Sequence, residues 1–541
     1  MTKPKTSRFD SLSLFSDTEI STLKAPSVSR LSIPGSACSR SISQMEKFKP
    51  FRDGEKAMIS LSVESRLAEI EKGIPQTHLA RLVKEVVFLL DTSAIEARYS
   101  FDGQKSYHPK LLLCVLIYGY SSGLRSSRDL ADKCRRDDYY KFLMQLYEPD
   151  HRTISDFRKD HLELISGYFV DILRIFDKLG YTKMGKIYID GTKVKANASA
   201  KRTKSKDSFE RWLGRLENEI SQLLQEAANL DKVEDEGVKL SGNQELLSHK
   251  LEHRAYLKNK INDALTHLKD EDKRKLNLTD ISAANMKKGG SKDIRPGYNC
   301  QAAVTEDGVI TAAAVVAECN DKNQLEPMLE ASEQNTGQDV CEVVADSGYG
   351  SYDVYEYLEK RGIDGHVPDD TFGRVKSGEF EKEKNRYHYR NFKYQEESDS
   401  YICPEGHRLN YLTTRKRKKG TNRLYTYKIY RGTACSECDK RHLCTKSKKR
   451  GRELKIELRE SLLRAMQEKV MSAKGGVKYF KRHYTIEPIF GHLKHNLGFS
   501  YFLLRGLDKV LGEFKLMCMG WNLQKLLKLG FTPQMVAEVQ I

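Results

Sequence analysis

The chain has no continuous apolar stretch near the length that a membrane span needs, which is roughly 18 residues. No apolar h-region marks a secretory signal near its start. Its 11 cysteines are an odd number spread over 541 residues. That speaks against a fully paired disulfide framework and for thiols that are free or metal-bound in a reducing, cytoplasmic compartment. Acids are in deficit: 75 Asp and Glu face 92 Lys and Arg, a net charge of +17. Such an excess favours a polyanionic partner, most commonly nucleic acid.

What is present is unevenly placed. Residues 401–450 hold 15 Lys and Arg against three acids, a local excess of 12 that makes up most of the surplus. A patch of that size says more about phosphate binding than the overall charge does. Within it, Arg423, Tyr425, Tyr427, Lys428, Tyr430 and Arg431 interleave cations with aromatics along an expected strand. Cations there contact phosphates, and aromatic faces stack on exposed bases.

The pattern divides the chain. Residues 1–50 are a Ser-rich, Pro-interrupted stretch without periodicity, expected to be a disordered tail. Residues 51–182 read as a helical domain and a candidate DNA-binding unit. Ser126 or Ser127 caps one of its helices and Thr153 the helix of Ile154, Phe157 and Leu162. A β-rich run, Lys186–Thr192, opens a section extending to residue 368. An insertion at 203–280 interrupts it, with helical repeats on both sides of Asp235-Glu236-Gly237, and reads as a helical hairpin. Strands follow at 299–305 and 309–318 around Asp307-Gly308, a hairpin signal. A helix, a strand ending at Asp346, a helix over 352–361 and a strand over 363–367 complete a mixed α/β sheet. Residues 369–455 read as a basic, Cys-containing β-rich insertion, and 456–541 as a helical end.

Three carboxylates stand out. Asp190 and Asp346 end predicted strands, where functional groups of open α/β sheets gather. Glu487 opens a helix whose apolar stripe is Ile486, Phe490, Leu493 and Leu497, with Lys494 nearly two turns on. Mg²⁺ or Mn²⁺ prefers such oxygen ligands plus substrate phosphate. Two such ions can serve both the attacking and leaving oxygens of a phosphodiester.

The order and wording of these segments resemble bacterial insertion-sequence transposases of the DDE type, most nearly the eleven-eighty-two group related to the insertion-sequence-four and -five groups. The motifs are Ser106-Tyr107-His108-Pro109 with Ser126-Ser127-Arg128, Pro149–Arg158, Asp190-Gly191-Thr192, Pro296–Gln301, Val344–Tyr349 and Ile486–Gly491 with Lys494. The resemblance covers roughly residues 75–530. It implies a ribonuclease-H-like catalytic core and double-stranded DNA as partner, both terminal inverted repeats and target. It implies metal-dependent cleavage and strand transfer at Asp190, Asp346 and Glu487, and a homodimer on paired ends in a bacterial cytoplasm. The family's Tyr/Arg/Glu/Lys signature maps onto Tyr479, Arg482, Glu487 and Lys494, which would hold terminal phosphates. Four residues separate Arg482 from Glu487 where three are expected, so His483 competes for the Arg position. The alternative reading is a DNA-binding repressor or architectural protein derived from a transposase and catalytically silent.

Cys403, Cys435, Cys438 and Cys444 form a second motif. One C-x-x-C with two outlying thiols suits tetrahedral Zn²⁺, with His407 or His442 able to replace a ligand.

Overall fold

The computed structural model describes residues 47–49, 61–100, 105–180, 184–235, 241–270, 275–287, 293–419, 423–447 and 450–539. The chain divides into Met1–Lys47 and Phe48–Ile541, and all of the described helices and strands lie in the second unit. The expected tail lies outside the described residues apart from 47–49.

The first section is helical: Leu61–Gly73, Leu79–Leu89, Pro109–Ser121, Ser127–Arg136 and the long His151–Lys178, with short turns between. Pro109 sits in the first turn of its helix, where a missing N–H costs nothing. Every residue of that helix is buried, so it is a central element and not an amphipathic one. The cap of the long helix differs from expectation. Asp150, not Thr153, is the N-cap, and its carboxylate accepts from the Thr153 amide at 2.7 Å. A carboxylate also favours the positive end of the helix dipole.

The sheet comprises β1 (Lys186–Lys195), β4 (Ala284–Lys287), β5 (Ile294–Thr305), β6 (Ile310–Val316), β7 (Glu342–Ala345) and β8 (Asp364–His366). Its order is β4-β5-β1-β7-β8, with β6 also on β5. β1 is antiparallel to β5 and parallel to β7, and β8 is parallel to β7. β1 outruns the predicted Lys186–Thr192 because β5 pairs with it as far as Lys195↔Gly297. The 309–318 run pairs only over Ile310–Val316, and 363–367 only over Asp364–His366.

Strand alternation feeds two cores. Tyr188, Val194, Cys300, Ala302 and Val344 face one that also takes in the N-terminal helices and the helix Leu507–Lys528. Ile187, Ile189, Ala303, Val343 and Ala345 face the other, against helices Leu325–Thr336, Tyr352–Arg361 and Glu460–Met471. The N-terminal helices therefore share a core with the sheet. Asn522 of Leu507–Lys528 ties the two together, exchanging hydrogen bonds of 2.9 Å each with the amide and carbonyl of Ile310.

Two sections stand off this body with cores of their own. Helices Lys206–Asp235 and Ser241–Asp270 pair around Phe209, Leu216, Ile261 and Ala264, beside a two-stranded ladder of β2 (Thr203–Lys204) and β3 (Leu276–Asn277). The basic section forms an antiparallel sheet, order β13-β12-β11-β10-β9, from β9 (Lys393–Gln395), β10 (Ser400–Ile402), β11 (Arg408–Lys419), β12 (Arg423–Gly432) and β13 (Glu453–Glu457). No described helix is long and apolar enough to cross a membrane.

Candidate active site

Asp190 does not end its strand. It lies within β1 opposite Ala302, one residue past the last pair that β1 makes with β7, Ile189↔Ala345. Asp346 is the residue after β7 ends. Both acids therefore stand at the carboxyl edge of the parallel pair, although the antiparallel ladder carries β1 onward. Glu487 begins the helix Glu487–Gly491, with Pro488 in its first turn. Ile486, Phe490, Leu493 and Leu497 are buried beneath, which turns Glu487 toward the strand ends.

The three acids meet at one cation. Arg482 Nη2 lies 3.0 Å from Glu487 Oε1, 3.7 Å from Asp346 Oδ2 and 3.8 Å from Asp190 Oδ2. Arg482 is buried, 7% exposed, and its Nε has no hydrogen-bond partner. One guanidinium facing three carboxylates leaves the cluster short of positive charge. Asp190 shows the consequence. Burial pushes its carboxyl up to about 7, against Arg482 and the Gly191 amide that hold it down, while Asp346 and Glu487 add to the rise. Gly191 N–H donates to Asp190 Oδ1 at 2.8 Å, and Ser347 Oγ donates to Asp346 Oδ1 at 3.0 Å. Three convergent carboxylates short of positive charge are chemically suited to divalent ions.

Geometry distinguishes the two candidates for the Arg position. Arg482 reaches all three acids, whereas His483 Nδ1 touches Glu487 Oε1 alone, at 2.9 Å. Tyr479 has the Arg482 guanidinium 5.6 Å from its ring centre and packs edge-on against Phe372. Lys494 does not follow straight helical spacing from Glu487, because residues His492–Asn496 form a π-helical turn. Such turns are frequent at functional sites. Lys494 Nζ donates to the Lys193 carbonyl on β1 at 3.1 Å, three residues beyond Asp190.

A fourth acid is present that the sequence pattern did not single out. Asp321 Oδ1 accepts from Asn299 Nδ2 at 2.6 Å and Gln301 Nε2 at 2.7 Å, and Tyr349 donates to Gln301 Oε1. The signal was the glycine after each acidic motif. A Cβ on Gly191 would lie 2.4 Å from Gln301 Nε2 and 2.8 Å from Asp321 Oδ1, and one on Gly348 would lie 3.1 Å from Asp321 Oδ2.

A second acidic group lies toward the other end of β7, shared with β8. Glu342, Asp364 and His366 bring ligand atoms within 4.8 Å of one another. Lysines already neutralise it: Lys478 Nζ bridges Glu342 and Asp364 at 2.9 Å each, Lys469 pairs with Asp364, and Lys186 sits 3.1 Å from Glu342. Burial would raise the Asp364 carboxyl, yet hydrogen bonds from Lys469 and Lys478 hold it at about 2.

The basic hairpin places its cations differently from expectation. Lys428 pairs with Asp399 at 3.1 Å and Arg431 with Glu453 at 2.5 Å, so both are engaged within the sheet. The Arg423 side chain lies outside the described residues. Tyr430 is buried and donates to Asp399. Arg415, Lys416, Arg417 and Lys418 are exposed on β11. Arg415 and Arg417 stand opposite Tyr427 and Tyr425, which puts cation and aromatic on one face.

Two arginines of the helical motifs lie inside the protein. Arg158 donates to the Arg125 carbonyl at 2.8 Å and to Tyr120 Oη at 3.1 Å. Arg125 pairs with the fully buried Glu513 at 2.9 Å and donates to the Tyr501 carbonyl at 2.8 Å. Arg125 thus ties the helices to the C-terminal section, and Arg158 of the Pro149–Arg158 motif holds the Arg125 carbonyl.

Two families match parts of the chain. Residues 68–160 match a family described as Transposase domain (DUF772). Residues 402–527 match one described as Transposase DDE domain, a span that includes Glu487, Arg482 and the four clustered cysteines. Two transposase families on one chain indicate a transposase, and the DDE match implies a nuclease-type transposition enzyme. Asp190 and Asp346 fall outside both matched segments. No curated protein and no solved structure matches the chain.

Proposed function

We propose that this protein is the DNA transposase of an insertion sequence, with a ribonuclease-H-like core that cleaves and joins phosphodiesters at Asp190, Asp346 and Glu487. The observation that carries the reading is the meeting of these three acids, from β1, the end of β7 and a C-terminal helix, around Arg482. A mixed sheet with an antiparallel hairpin followed by parallel strands supports it.

Asp190, Asp346 and Glu487 would hold divalent metal, Mg²⁺ or Mn²⁺. Two such ions activate the attacking oxygen and stabilise the leaving one. Asp190 must give up its proton before it can act as a ligand. Arg482 must release the acids, and its freed guanidinium then suits a phosphate oxygen bidentately. Tyr479 keeps that guanidinium over its ring. Lys494, beside β1, supplies a further cation for DNA-terminal phosphate. The exposed Arg415, Lys416, Arg417 and Lys418 hairpin, with Tyr425 and Tyr427, would track the DNA backbone. Recognition of terminal inverted repeats and work as a homodimer on paired ends complete the reading.

The test is a strand-cleavage assay on the DNA flanking the gene, with Mg²⁺ or Mn²⁺, comparing the natural protein with Glu487→Gln. Metal-dependent cuts at the repeat ends that vanish in the variant are expected. Tight, metal-independent binding without cleavage on any cognate end would overturn the enzyme reading in favour of a silent DNA-binding derivative.

A further inference from the structure

The five-stranded basic sheet has little to hold it. Its buried cluster is Phe392, Tyr401, Leu409, Tyr430, Leu454 and Ile456. It must also carry the local excess of 12 positive charges between residues 401 and 450. Small units with so little core are commonly stapled by disulfides or by metal. None of the described cysteines forms a disulfide.

Four thiols from three separate places line one cavity, though no three of their sulfurs lie within 4.8 Å of one another. Cys403 follows β10, Cys435 and Cys438 lie in the loop after β12, and Cys444 ends the short helix Arg441–Cys444. All four line a single cavity, together with Arg441 and Arg452. The backbone is shaped around two of the sulfurs. Residues 403–407 form a tight turn, with Cys403 N–H donating to the His407 carbonyl at 2.9 Å and Gly406 at φ +83°. That turn aims the His407 amide at Cys403 Sγ, 3.3 Å away, and the Arg452 amide donates to Cys435 Sγ at 3.4 Å. Amide donors of this kind stabilise a thiolate ligand. Beside Cys435 there is no room for a side chain at Gly432 or Gly451. A Cβ on Gly432 would lie 2.5 Å from its sulfur, and one on Gly451 3.3 Å from it and 2.0 Å from the Gly432 carbonyl.

We propose that Cys403, Cys435, Cys438 and Cys444 bind one structural Zn²⁺. Four thiolates close the coordination sphere, so the ion is structural and not catalytic. Binding draws the thiols from the rim of the cavity to a Zn–S distance of about 2.3 Å. It pins the turn after β10, the loop after β12 and the short helix together, and so fixes the open end of the hairpin that displays Arg415 and Arg417. The two negative charges of such a centre are matched by the Arg441 and Arg452 side chains. The inference does not rest on the proposed cleavage chemistry.

Zinc content decides it. The full-length protein, purified under reducing conditions without chelator, is expected to contain about one zinc per chain. Cys435→Ser and Cys444→Ser are expected to lose it. Cys319→Ser, at an exposed thiol elsewhere, and Asp190→Asn are expected to keep it. Should the two Ser variants fail to fold, Co²⁺ substitution of the natural protein reads the same site. Sulfur-to-metal charge-transfer bands with visible bands of a tetrahedral thiolate centre are the expected result. Absence of zinc after reconstitution, retention of zinc by Cys435→Ser and Cys444→Ser together, or disulfide-linked peptides joining these cysteines in the reduced preparation would overturn it.

Discussion

Acidic clusters lie at both ends of β7, one shared with β8 and the other with β1 and the helix at Glu487, and the two have opposite characters. At the amino edge, Glu342 and Asp364 face three lysines, and Asp364 titrates at about 2. At the carboxyl edge, three acids share one arginine, and Asp190 titrates at about 7. The first is a lysine-paired salt-bridge network, although Glu342 Oε1 and His366 Nδ1 lack a hydrogen-bond partner. The second is under-neutralised, and burial raises the Asp190 carboxyl. Charge balance separates a structural network from a reactive site.

The largest expected contrast is catalytic. Asp190→Ala should lower strand cleavage on the order of 10²–10³-fold or more, while Asp364→Ala leaves the rate unchanged. Equal losses in an end-cleavage assay would erase the distinction between the clusters.

Next comes pH. A ligand that must shed a proton binds metal more tightly as pH rises through its pKa. Mn²⁺ affinity should climb about tenfold per unit below pH 7 and level off above it. Asp190→Asn should flatten that slope, and calorimetric titration at several pH values reads both.

Stability gives a smaller and oppositely signed pair. The folded-state pKa of Asp190 is raised, so its ionisation costs stability that is absent below the unfolded value near 3.8 and fully felt above about 7. Asp190→Asn should therefore stabilise the metal-free protein at pH 8, by no more than ~4 kcal/mol, and have no such effect near pH 4. A lower melting temperature at pH 8 would count against the uncompensated charge. Asp364 is the reverse case. Its pKa is depressed, so its contribution is present above about 4 and lost as pH falls toward 2. Lys478→Met should cost about 1 kcal/mol or less at pH 7, because both partners are partly exposed. Thermal denaturation at pH 7 and pH 2.5 would show whether that loss disappears with acid.

Much of this arrangement was legible beforehand. The Asp-Gly hairpin, the paired helices of the insertion and the helix beginning at Glu487 all carried local signals: turn chemistry, 3.6-residue periodicity and a proline in the first turn. The three acids were legible as residues. The length of β1, the π turn that contains Lys494 and the choice of Asp150 as cap were not, because each depends on a partner or a competing neighbour. Lys428 and Arg431 read as DNA contacts, yet each found a carboxylate across the sheet, Asp399 from the loop before β10 and Glu453 from β13.

By itself the sequence determined which side chains were available: the acids, the cation surplus, the four clustered thiols and the periodicities that turn them into strands and helices. Those are properties of neighbours in the chain. Only the tertiary structure decided that Arg482 and not His483 spans the three acids, that Asp321 accepts from Asn299 and Gln301, and that Arg125 is buried against Glu513 with Arg158 on its carbonyl. Each of those outcomes depends on distances between segments tens to hundreds of residues apart, and charge acts through such distances, not through sequence order.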